Sequence, residues 1–147
     1  MPGRGDIERL HEELEQLFDD LWRVPRFAGA RRGFRPAVDV YQTEDPLELN
    51  VVVDLAGVDP EHVHVVATEG ILVIAGDRPR PQSECPRSYH HLEIQYGPFE
   101  RRVTLPENVD SEAARAEYRH GLLTIVLPLA EKPAPPLRAA IPVRRER

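Results

Sequence analysis

The sequence is poor in several residue types, and each shortage restricts what the protein can be. Its only cysteine is Cys85, which excludes a disulfide within the chain and is typical of proteins from a reducing compartment. No apolar run approaches the roughly 20 residues that span a bilayer, and the first residues hold no apolar stretch of the kind that a secretory signal needs. We therefore expect a cytoplasmic protein that does not bind membranes.

Motifs for nucleotide and hydrolase chemistry are also missing. The sequence contains no GxxxxGK[ST], GxGxxG or GxSxG, so phosphate-loop, dinucleotide-binding and serine hydrolase functions lack their usual support. The formal net charge is −6, with acids and bases interspersed, whereas nucleic acid binding usually requires a basic stripe. We expect no cofactor and no nucleic acid partner, and we interpret the small arginine clusters in 31–35 and 144–147 as solubilising charge.

Histidine and cysteine provide the few candidates for chemistry. His62 and His64 are predicted on the polar face of one strand, and His90 and His91 lie in another, but no CxxC or HExxH spacing accompanies them. We interpret these histidines as solvated and predict no metal site. A nucleophile and base pair of Cys85 and His90 would have no rigid third group to orient it. The sequence therefore predicts no catalytic residue, and an enzyme built on this pair remains an alternative.

The N-terminal arm, residues 1–35, contains a predicted amphipathic helix. Within 6–23, apolar residues recur at steps of three and four, which places them in one stripe, and Asp6 is a suitable N-cap. A proline- and glycine-containing connector follows, so no adjacent element covers the stripe. It therefore packs on its own protein, joins another chain or binds a foreign apolar target. The stripe consists of Ile7, Leu10, Leu14, Leu17, Phe18, Leu21 and Trp22.

In residues 36–130 the apolar residues recur with a period of two, which predicts an all-β domain. In LELNVVVDL, for example, every second residue from Leu47 to Val53 is apolar. Eight such short segments alternate with turn residues, which is typical of an antiparallel β-sandwich. We expect a long polar loop over 77–88 that leads into a short strand from Tyr89 to Ile94. The predicted strands lie in the segments AVDVY, LELNVVVDL, HVHVVAT, ILVIAG, SYHHLEI, FERRVTL, ARAEY and LLTIVLP.

The C-terminal extension, residues 131–147, is proline-rich but ends in an apolar motif. Pro142 stiffens the segment and favours extended geometry at Ile141, so that Ile141 and Val143 project to the same side. A pre-stiffened pair loses little entropy on docking. The motif is therefore suited to a groove at a sheet edge.

Several motifs together resemble the α-crystallin domain of bacterial-type small heat shock proteins. ARAEYRHGLLTIVLP is similar to the family signature, with Ala116, Gly121, Leu123 and Pro128 on its characteristic positions. YGPFERRVTLPENVD resembles another stretch of the family, and IPV resembles its C-terminal motif. His120 stands where asparagine is usual before the glycine; both residue types are enriched in left-handed turns.

The resemblance implies an immunoglobulin-like sandwich that forms a dimer by exchanging the short strand near Tyr89 with its partner. The implied interface residues are Tyr89, His90, His91, Leu92 and Arg101, with Arg101 paired with an acid. Dimers would then assemble further when Ile141, Pro142 and Val143 dock into a groove on another subunit. That groove would be formed by Val63, Val65, Ala114 and Ala116.

The same resemblance implies an ATP-independent holdase that keeps partly unfolded client proteins from aggregating under stress. Clients would contact the N-terminal stripe, and further partners would be other copies of the chain, paralogous small heat shock proteins and refolding chaperones. Two alternatives lack the holdase activity: a self-assembling scaffold that buries the stripe permanently, and a sandwich-type co-chaperone adaptor. The adaptor would need neither the stripe nor the IPV tail.

Overall fold

The computed structural model describes residues 33–68, 70–131 and 139–146, which form two β-sheets with short 3₁₀ turns. The predicted helix within 6–23 lies outside the described residues. The strands are β1 (Val38–Glu44), β2 (Leu47–Asp54), β3 (His64–Thr68), β4 (Ile71–Arg78), β5 (Gly97–Thr104), β6 (Arg115–Arg119), β7 (Leu122–Pro128), β8 (Ala139–Ala140) and β9 (Val143–Arg145), and the 3₁₀ turns are Pro60–His62 and Ser111–Ala113.

The strands form a larger sheet of order β1-β2-β7-β6-β9 and a smaller sheet of order β5-β4-β3-β8. Every strand pair is antiparallel except β6 with β9. Alternate residues of β2 and β7 point inward from the larger sheet and meet inward residues of β3 and β4 in a single core. The predicted all-β sandwich is confirmed. Its innermost side chains include Val51, Val53, Leu72, Ile74, Leu123, Ile125 and Leu127.

The turn between β6 and β7 explains two residues of the signature motif. Arg119 pairs with Leu122, which leaves His120 and Gly121 as a two-residue hairpin loop. Their φ angles are 52° and 79°, the left-handed geometry that such a loop requires. The carbonyl of Gly121 also accepts a hydrogen bond from the Leu55 backbone N–H at 2.8 Å. The turn therefore joins the hairpin to the chain segment that follows β2.

One local prediction was wrong, and another is not met within the single chain. β3 begins at His64, so His62 is not on a strand; it ends a 3₁₀ turn that is capped by the Asp59 carboxylate, which accepts from the Glu61 backbone N–H at 3.0 Å. The expected strand from Tyr89 to Ile94 is also absent from the described chain, and β4 runs to Arg78 before a loop over 79–96. A strand needs a partner backbone for its hydrogen bonds, and none of the described strands pairs with this segment.

Candidate functional site

The C-terminal segment lies along one edge of the sandwich, where β3 and β6 end the two sheets on the same side. β8 extends the smaller sheet by pairing with β3, and β9 extends the larger sheet by pairing with β6. The chain thus crosses from one sheet to the other at Ile141 and Pro142. Because proline has no backbone N–H, Pro142 suits a position between the two ladders, where none has to be satisfied. We call the space between β3 and β6 the tail groove.

Ile141 fills the tail groove. Its side chain is 4% exposed, and its backbone N–H donates to the carbonyl oxygen of Val65 at 2.8 Å. Val143 is half-buried and lies opposite Ala116 in the parallel β6–β9 pair. The two side chains that the sequence analysis selected therefore reach the sandwich, although Ile141 is much the more buried.

The four residues proposed to accept the tail lie at the core side of this edge. Val63, Val65 and Ala116 are buried in the same hydrophobic cluster as Ile141, and Ala114 packs against that cluster. Here the groove belongs to the same chain as the tail, whereas the expected arrangement used a groove on another subunit. Both arrangements present identical groove chemistry, because each copy has the same β3 and β6. The docking of tails between subunits remains a prediction.

Polar contacts continue beyond the apolar motif. The backbone N–H of Glu146 donates to the Tyr118 carbonyl at 3.2 Å, and its carboxylate lies 3.7 Å from the Arg119 guanidinium. Both side chains of this ion pair are more than a third exposed, so it contributes little to stability. The apolar contact of Ile141 is therefore the main source of tail affinity.

Tyr118 lies in β6, one of the two strands that border the tail groove. Its hydroxyl donates to the Leu55 carbonyl at 3.0 Å, which ties β6 to the chain after β2. Burial raises the pKa of Tyr118, so the phenol stays protonated and remains a donor at neutral pH. Sequence reasoning did not identify this residue, because its partner is distant in the sequence.

His64 begins β3 near the groove and is half-buried. Burial, together with the positive charge that His62 can carry, lowers the pKa of His64, which favours the neutral ring. The side chain of His62 is largely exposed and lies 3.7 Å from the Asp59 carboxylate. The described part of the chain holds no group of three or more potential metal ligands.

The second candidate site is the loop over 79–96 together with β1. Of the predicted interface residues, Tyr89, His90, His91 and Leu92 all lie in this loop and are exposed; Leu92 is 61% exposed. At the outer edge of the larger sheet, β1 also exposes apolar side chains, including Tyr41. An unpaired edge strand and an exposed apolar segment both offer backbone and side-chain groups to a partner.

Arg101 projects from β5 and is half-buried. Its guanidinium donates to the Pro36 carbonyl at 2.7 Å, which links the edge of the smaller sheet to the chain just before β1. Burial, with the nearby charge of Arg35, lowers the pKa of Arg101. Among the described residues no carboxylate forms an ion pair with Arg101, and its expected pairing with an acid at a dimer interface stays a prediction.

Cys85, the other candidate for chemistry, is an exposed free thiol in the same loop. Its backbone N–H donates to the Ser83 hydroxyl at 3.3 Å. Nothing in the described structure orients a base toward this thiol.

None of the helices that the described residues form is long and apolar enough to cross a membrane.

Comparison with known proteins identifies the family. Residues 41–144 match the sequence profile of the Hsp20/alpha crystallin family. The chain belongs to this family. The predicted recognition is thereby confirmed, and the family is one of chaperones rather than enzymes.

Relatives of this chain occur in bacteria and plants. Small heat shock protein C2 of Rickettsia felis is 28% identical over 87% of this chain and 84% of its own length. The 16.9 kDa class I heat shock protein 3 of Oryza sativa is 33% identical over 83% of this chain and 89% of its own length. Among solved structures, hspA from Xanthomonas axonopodis has a TM-score of 0.61 at 32% identity, covering 69% of this chain and 98% of that one.

Proposed function

We propose that this member of the Hsp20/alpha crystallin family is an ATP-independent holdase, which binds partly unfolded client proteins and prevents their aggregation under stress. The tail groove is the observation that supports this function. It is an apolar site covered by the short strands β8 and β9 and by the Ile141 side chain between them, and a segment this short can open locally while the core stays folded. Aggregation is driven by apolar surface, and a reversible supply of such surface competes for the same clients.

Client contact would come chiefly from the N-terminal stripe, whose residues lie outside the described part of the chain. The support is its sequence pattern: seven apolar residues at helical spacing with no adjacent element to cover them. Partly unfolded proteins offer apolar segments that can pack against such a stripe. The proposed clients are therefore cytoplasmic proteins that expose core segments, which refolding chaperones would later receive.

Assembly would use the two exposed regions of the sandwich. We propose that the segment from Tyr89 to Leu92 adds as a strand to β1 of a second copy, because β1 has an open outer edge, the segment pairs with no described strand, and both expose apolar side chains. Tails that leave their own groove would dock in the grooves of neighbouring copies. The solved small heat-shock protein of Xylella fastidiosa, 33% identical to this chain, forms a distinct high order structure.

A light-scattering assay tests the activity. A model client is heated without nucleotide, alone and with the full chain, with an Ile141→Ala/Val143→Ala variant, or with Cys85→Ser as a matched control. The wild type and Cys85→Ser should suppress scattering equally, and the double variant should elute as smaller species in light-scattering chromatography. Client aggregation at the same rate with and without the wild-type protein would overturn the holdase proposal. Assembly without protection would favour the scaffold alternative.

A further inference from the structure

Arg78 holds the base of the loop over 79–96 against the sandwich. Its Nε donates to the Gln95 carbonyl at 2.8 Å, so the start and the end of the loop are joined. The same guanidinium lies 3.5 Å from the centre of the Phe34 ring and donates to the Ala56 carbonyl at 3.2 Å. One side chain thus contacts the chain before β1, the turn after β2 and the far end of the loop.

A second arginine continues this arrangement. Arg80 lies 4.6 Å from the centre of the Tyr96 ring and 5.5 Å from that of Tyr89, while Arg78 lies 5.7 Å from Tyr96. These distances are within the range in which a guanidinium is attracted to an aromatic ring. Arg80 and Arg78 pair with no carboxylate among the described residues, so their charge is directed to rings and carbonyl groups.

We infer that Phe34, Arg78, Arg80 and Tyr96 form a loop clamp, a set of positioning residues that hold the segment from Tyr89 to Leu92 ready for a second copy of the chain. Loops as long as 79–96 without regular structure are uncommon and lose much conformational freedom on binding. By fixing both ends of the loop, the clamp reduces the freedom that is lost when Tyr89 to Leu92 pairs with a partner. A dimer formed through a loop held in this way therefore dissociates more slowly.

The clamp also joins the loop over 79–96 to Phe34, which precedes β1 near the start of the described chain. Phe34 is nearly buried, stacks edge-on against Phe99 at 5.6 Å, and donates its backbone N–H to the Pro98 carbonyl at 3.3 Å. Because Arg78 lies over this ring, displacement of Phe34 would remove one face of its site. Movement at the start of the sandwich and release of the loop are therefore coupled through Arg78.

The test compares Tyr96→Leu with Tyr96→Phe in the full chain, labelled at Cys85, the only cysteine and one that lies in the loop. The Tyr96 hydroxyl makes no hydrogen bond with a described residue, so phenylalanine keeps the ring and its arginine contacts, whereas leucine removes them. Fluorescence anisotropy of the label reports the freedom of the loop. Energy transfer between donor- and acceptor-labelled subunits reports their exchange, and the thermal midpoint confirms that each variant is folded.

We expect Tyr96→Leu to lower the anisotropy and to raise the subunit exchange rate about five- to thirtyfold, the effect of losing two partly exposed cation–π contacts. Tyr96→Phe should stay within about twofold of the wild type. Equal anisotropy in all three proteins would overturn the clamp, and a changed anisotropy with an unchanged exchange rate would overturn its positioning role. The inference rests on the proposed dimer, but if the wild type shows no energy transfer, the dimer proposal fails while anisotropy still decides whether the clamp exists.

Discussion

Replacement of Ile141 by alanine is the most direct perturbation of the tail groove. The side chain is 4% exposed and has the only buried position in the described part of the tail. The substitution keeps the backbone N–H that donates to Val65, so it removes apolar contact and leaves the hydrogen bond possible.

The size of the effect follows from the three carbon atoms that the substitution removes. At about 0.8 kcal/mol for each buried carbon, docking should weaken by about 2.4 kcal/mol. Since 1.4 kcal/mol is a factor of ten, the ratio of docked to undocked tail should fall about 50-fold. Val143 is half-buried, so Val143→Ala removes two carbons at about half that value, and a fall of only about fourfold is expected.

Hydrogen exchange measured by mass spectrometry on a peptide spanning 139–146 provides the assay. Protection of these amides reflects the population of docked tail. We expect protection to fall about 50-fold for Ile141→Ala and about fourfold for Val143→Ala. Equal protection in wild type and Ile141→Ala would show that burial of this side chain does not hold the tail. Dilution separates the two modes of docking, because docking within one chain is independent of concentration and docking between chains is not.

Two further predictions concern Tyr118 and His64, which lie in the two strands that border the groove. Tyr118→Phe removes the hydroxyl that donates a hydrogen bond to the Leu55 carbonyl. The free energy of unfolding should therefore fall by about 1 kcal/mol, which lowers the thermal midpoint by about 4 °C. An unchanged midpoint would mean that water fully replaces this hydrogen bond. Burial lowers the pKa of His64, so the folded chain binds fewer protons than the unfolded chain, and stability is complete above the ordinary value of 6.5 and falls as the pH drops below it. His64→Gln should therefore reduce the loss of thermal stability between about pH 7 and pH 5, whereas an equal loss in both proteins would assign the pH dependence to other groups.

Local patterns in the sequence were sufficient for most of the strands. The alternation from Leu47 to Val53 predicts β2, because one face of that strand must be buried against another layer. The pair of His120 and Gly121 predicts a tight hairpin, because few other residues adopt positive φ angles readily. The segment from Tyr89 to Ile94 has the same strand-like composition, yet it forms no strand in the single chain. The composition of a segment indicates that its backbone prefers an extended conformation. Strand formation also requires a partner strand, which lies elsewhere in the chain or in another chain.

The contacts of the loop over 79–96 likewise could not be predicted from local sequence. Nothing near Arg78 in the sequence indicates that its guanidinium lies over Phe34 or bonds to Gln95, since the three residues are far apart along the chain. For Arg101, the described residues supply the Pro36 carbonyl as a partner, and its expected pairing with an acid at a dimer interface stays a prediction.

The period of each strand, the turn chemistry between strands and the stiffness of the IPV motif can be read from the sequence, because these depend on backbone preferences of residues next to one another. The contact of Ile141 with Val65 and the position of Val143 opposite Ala116, in the groove of the same chain, are visible only in the folded structure. These contacts depend on how the two sheets pack and on which strand edges the sheets leave unpaired. Sequence periodicity specifies which face is apolar; the packing of the sheets specifies what that face touches.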